Sequence, residues 1–128
     1  MSKRRGAGIF LHPGYYFAAK GDITDMAEKS FFEVWQEESP GTSKAFFDLA
    51  GAIEKEGGLD AKTFQLVYLA IKTTKGEVGS VTAHAGFAKK AGATREEVRG
   101  AVLVSLMTDG ITGVAACLPA AMEGYDNA

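Results

Sequence analysis

Apolar positions recur at helical spacing through most of this chain, and glycine or proline punctuates them. Met26, Phe31, Val34 and Trp35 gather on one side of a helix predicted over residues 24–39, with Thr24 as its cap and Pro40-Gly41 as its end. Thr42 is then placed to cap a second helix over residues 43–55, which turns Phe46, Phe47, Leu49, Ala50 and Ile53 inward and stops at Gly57-Gly58. Asp60 caps a third over residues 61–74. The middle of that helix, Leu66 to Ile71, is apolar all round, which predicts a central position. A fourth helix over residues 77–91 ends at Gly92. Thr94 and Glu97 have capping-box spacing and open a fifth over residues 95–108. A sixth spans residues 111–124, with a bend expected at Pro119. No stretch alternates in the manner of a strand. The expected fold is all-α, a bundle of about six helices joined by short turns between antiparallel neighbours. Residues 1–22, rich in aromatics around Tyr15, Tyr16 and Phe17, read as an irregular arm, and residues 23–128 as a single helical domain.

Helix four has its own pattern. Gly79, Ala83 and Gly86 form a small-residue stripe, and glycine inside a helix costs about 1 kcal/mol against alanine. The expected compensation is close approach of another helix, within the subunit or across an interface. Val78, Val81, Ala85 and Ala88 on the other side read as core.

Composition narrows the function classes. At 128 residues, with 46 % hydrophobic and 23 % charged positions, this is the balance of one globular domain. A net charge of -2 favours neither nucleic acid nor an anionic membrane, and no apolar run is long enough to span a bilayer. A single cysteine, Cys117, rules out a disulfide framework, a cysteine zinc site and an intramolecular dithiol cycle, and suggests a reducing, cytoplasmic compartment. Cys117 sits among small apolar residues and reads as a buried hydrophobe.

The chemistry concentrates on helix four. Glu77, Ser80, His84 and Phe87 follow one another at intervals of three, four and three, so a carboxylate, a hydroxyl and an imidazole share a ridge. Imidazole is the side chain best suited to moving protons near neutral pH, and Glu77 is the expected partner that tunes it. The same residues have a structural reading: Glu77 complements the helix dipole, and His84 is a satisfied helix residue. No metal is expected. The two histidines, His12 and His84, are far apart, and no His-x-x-x-His or Glu-x-x-His pair exists. Ser80 lacks the surroundings of a hydrolase nucleophile.

The run Leu59-Asp60-x-Lys62-Thr63-x-x-Leu66-x-x-Leu69-Ala70, followed by His84-x-x-x-Ala88-x-x-x-Gly92-Ala93-Thr94-x-Glu96-Glu97-Val98, resembles the core of the carboxymuconolactone decarboxylase and alkylhydroperoxidase-D family. The resemblance implies an all-α fold and a homotrimer or hexamer with sites near subunit contacts. In the peroxidase branch two cysteines, a histidine and an upstream glutamate do the chemistry. Their positions here are Glu77, Ser80, His84 and Gln65, so only the histidine is kept, and a serine hydroxyl cannot cycle through sulfenic acid. The decarboxylase branch implies a cofactor-free lyase acting on a small carboxylated lactone or organic acid. His84, Glu77 and Ser80 are then the candidate catalytic residues, and Gln65, Tyr68 and Phe87 the candidate substrate-binding ones. Two other readings stay open: a non-catalytic oligomeric binding member, and a one-thiol peroxidase on Cys117.

Overall fold

The computed structural model describes residues 7–12, 15–19 and 29–128. Two short strands, β1 (Ala7–His12) and β2 (Tyr15–Ala19), precede six helices: α1 (Phe31–Glu38), α2 (Pro40–Glu56), α3 (Ala61–Thr74), α4 (Val78–Lys90), α5 (Arg95–Asp109) and α6 (Ile111–Asp126). The helical body is the expected all-α bundle. The hairpin was not expected: β1 and β2 pair antiparallel, Ala7 opposite Ala19 and Ile9 opposite Phe17, with an irregularity between Phe10 and His12. It escapes the alternation test because Ile9, Phe10 and Leu11 are consecutive apolar residues.

The chain divides into two compact units, Met1–Gly58 and Leu59–Ala128. This differs from the expected arm of residues 1–22 followed by one domain. The expected boundary lies outside the described residues. The observed one follows Gly58, whose φ of +74° suits a residue without a Cβ.

In the first unit the predicted helix starts shift. Thr24 lies outside the described residues, and α1 begins at Phe31 behind a capping box, Ser30 with Glu33. The helix expected after Thr42 starts at Pro40 instead, with Ser39 at the cap position. Proline at the first helical position loses nothing, because that N–H has no intrahelical acceptor. Thr42, displaced from the cap, accepts from Trp35 Nε1 at 2.9 Å and donates to the Ser39 carbonyl at 3.1 Å. Phe47 and Ala50 are buried, whereas Phe46, Leu49 and Ile53 are exposed rather than inward.

In the second unit Asp60 accepts from the Thr63 N–H at 2.7 Å and starts α3. Thr94 and Glu97 close the capping box of α5. The core joins Leu69, Val81, Ala85, Ala88, Val98, Val102, Val114, Cys117 and Ala121 from α3 to α6. Val81, Ala85 and Ala88 are core as expected, but Val78 at the start of α4 is exposed. The helix apolar all round is also not buried all round: Leu69 is fully buried, while Val67 and Ile71 are exposed. The deeper element is α6, which buries Gly113, Val114, Cys117, Ala120, Ala121 and Gly124. Pro119 is accommodated because it and Ala115, whose carbonyl its ring displaces from a helical bond, both lie on the exposed side.

The close approach predicted for helix four exists, but other glycines enable it. A Cβ on Gly124 would strike the Thr82 carbonyl, and one on Gly113 would strike the Thr73 carbonyl. Gly86 is buried, and its Cβ would lie 3.2 Å from the Ala128 methyl. Gly79 faces open space. The backbones of α4 and α6 therefore meet through α6's glycine.

Candidate functional site

Two adjacent helices of the second unit build the site. On α3, Gln65, Tyr68 and Lys72 are three and four residues apart and share a face. On α4, His84 and Phe87 are three apart and face the same place. The turn between these helices uses Gly76 at φ +67°, which brings Glu77 back beside the end of α3.

His84 is buried, with 5 % exposure, and Gln65 beside it with 6 %. Its Nδ1 lies 2.7 Å from Gln65 Oε1. A carboxamide oxygen only accepts, so Nδ1–H donates and Nε2 holds the lone pair. No protein group bonds Nε2 among the described residues. The Tyr68 ring stacks on the imidazole, with centroids 3.7 Å apart and planes 17° from parallel. Phe87 meets it edge-on at 5.0 Å. Burial pushes the His84 pKa from 6.5 down to about 4, and the Lys72 ammonium helps. The ring is neutral at pH 7.

The charged part of the site stands next to this column. Lys72 Nζ lies 5.7 Å from the Tyr68 centroid and 2.6 Å from Glu77 Oε2. Ser80 Oγ donates to the same oxygen at 3.4 Å. Burial works against the lysine charge, but the Glu77 carboxylate outweighs it and raises the pKa. The bond from Lys72 in turn holds Glu77 low. Burial raises the Tyr68 hydroxyl despite the lysine, so the phenol keeps its proton.

The structure thus brings together His84, Gln65, Tyr68 and Phe87, and separately Glu77 and Ser80. It does not make Glu77 the partner of His84. Glu77 occupies the cap position before α4, almost two turns from the imidazole, and reaches Lys72 instead. Gln65 orients the ring. Lys72 was missed by the sequence reading, although it stands four residues after Tyr68 and seven after Gln65, on their face of α3.

Cys117 is fully buried in the core. Burial raises its thiol pKa, and the Glu77 carboxylate adds to this, which opposes the thiolate a peroxidase needs. Among the described residues no group of three or more His, Cys, Asp or Glu could hold a metal ion, and no helix is long and apolar enough to cross a membrane.

Compared with known families, residues 40–123 match the carboxymuconolactone decarboxylase family. No curated protein and no solved structure matches the chain.

Proposed function

The chain belongs to the carboxymuconolactone decarboxylase family, and from that premise we propose that it is a cofactor-free lyase for a small carboxylated lactone or related organic acid, in which His84 carries one proton. The observation that supports this most is the state of His84: a neutral imidazole with Nδ1–H committed to Gln65 and a free lone pair on Nε2.

The chemistry balances without a cofactor. The bond between the carboxylate carbon and its neighbour breaks and carbon dioxide leaves. The electron pair stays on the neighbouring carbon, spread into the substrate's own carbonyl. Nε2 takes up a proton from solvent and delivers it to that carbon, so one carboxylate and one proton become one C–H product and carbon dioxide. Tyr68 and Phe87 supply flat apolar walls, and Gln65 occupies Nδ1–H, which leaves Nε2 to carry the proton.

The test is carbon dioxide release from a carboxymuconolactone in heavy water, with deuterium located in the product. The wild type places one deuterium on the carbon that lost the carboxylate. His84→Ala loses turnover by about a hundredfold or more while remaining helical. Undiminished turnover in that variant removes His84 from the reaction. A second reading, a non-catalytic binding member, draws on Gln65, Glu77 and Ser80 standing where the redox branch has its glutamate and cysteines. It predicts neither release nor label. We also propose that the chain assembles with itself, as a homotrimer or hexamer.

A further inference from the structure

We propose that Lys72 is the anchor for the substrate's carboxylate, and that Glu77 is a built-in counter-ion which the substrate displaces. Three observations carry it. First, the Lys72 side chain is only 25 % exposed and lies over the ring that stacks on His84, so its charge is directed at the site rather than at bulk water. Second, the Glu77 carboxylate shows how a carboxylate sits there: one oxygen takes Lys72 Nζ at 2.6 Å and Ser80 Oγ at 3.4 Å. Third, Glu77 itself is the more exposed partner at 43 %, and it precedes α4 rather than standing within it. Its side chain can leave for water without uncovering core. An ammonium has three donors in free rotation and no fixed fork, which suits exchange of one carboxylate for another.

The Lys72 ammonium opposes protonation of the imidazole, and exchange of the Glu77 carboxylate for the substrate's leaves one carboxylate against Lys72 in either state.

This inference rests on the reading of the site as one for a carboxylated substrate, yet it is measured without turnover. Succinate serves as the probe and dimethyl succinate as its uncharged control, with binding followed by calorimetry on the full chain. The wild type binds succinate and ignores the diester. Lys72→Met weakens succinate by about tenfold or more, the cost of one charged hydrogen-bonding partner, and Lys72→Arg restores much of it. Glu77→Gln has the opposite effect and tightens binding severalfold, because the competing counter-ion is gone. A salt bridge that only holds α3 to α4 predicts that both variants lower the melting temperature and neither moves the succinate constant in opposite senses. Equal binding by wild type and Lys72→Met overturns the proposal, as does weaker binding by Glu77→Gln or no succinate binding by the wild type. A chain that binds succinate in this pattern but releases no carbon dioxide refutes the lyase reading alone.

Discussion

Burying an imidazole removes the water that would solvate its charged form, and the neutral ring then prevails to lower pH. For His84 the pKa falls from 6.5 to about 4. The unfolded chain takes up this proton as pH drops through 6.5, and the folded chain does not until about 4. Stability from this residue is therefore whole above pH 6.5 and is lost progressively on the way to pH 4, by about 3 kcal/mol in total. Urea unfolding of wild type and His84→Gln, each at pH 7 and pH 4, measures this. Carboxylates such as Glu77 and Asp126 also lose stability in acid, but both proteins share them, so the difference isolates the imidazole. The variant should lose less stability than the wild type between the two pH values, and parallel losses would show that the ring is not buried neutral. At this scale helical spacing puts His84 and Phe87 on one ridge, and the resemblance to the family marks the histidine and Gln65. The Lys72–Glu77 pair was silent. It crosses the turn at Gly76, and helical spacing says nothing about contacts across a turn.

Helix boundaries follow the chemistry of their caps, and the caps were uneven signals. Asp60 and Thr94 stand before unambiguous apolar runs and were found. The box at Ser30 and Glu33 has the same Ser-x-x-Glu spacing, but Thr24 competed for the role of start. Pro40-Gly41 reads as a stop, and Pro40 is also a start, the first residue of α2. Glycines posed a different problem. The sequence reveals which residues are small but not which backbone passes near them, so Gly79 drew attention that belonged to Gly124. That correction makes a pair of opposite predictions. Gly124→Ala forces a methyl into the Thr82 carbonyl and should destabilise by about 2–3 kcal/mol. Gly100→Ala in α5 meets nothing within 4 Å and sits in a helix interior, so it should stabilise by up to about 1 kcal/mol. Thermal unfolding of the two variants checks both signs. A tolerated Gly124→Ala would mean that α4 and α6 do not approach as closely as described.

For the molecule as a whole, the second unit folds around its own core yet leaves apolar side chains uncovered. Val67 and Ile71, one turn apart on α3, are 43 % and 54 % exposed. Val104 and Met107, three apart on α5, are 53 % and 89 % exposed, and Ile111 at the start of α6 is 71 % exposed. Scattered apolar residues are ordinary on a monomer, but runs at helical spacing on neighbouring helices mark surfaces that bind something. A second copy of the chain is the simplest occupant, and it would explain why a helix apolar on every side is buried on only one. Sedimentation equilibrium of the wild type should give a multiple of the single-chain mass. Val67→Glu with Ile71→Glu should return it to one chain while circular dichroism keeps its helical signal, because neither residue belongs to the buried core. If the doubly charged variant sediments like the wild type, the α3 stripe is not an interface between copies. If the wild type itself is a monomer, the assembly reading falls. The carboxylate anchor at Lys72 would be untouched by either result, since every group in it comes from α3, α4 and the turn between them.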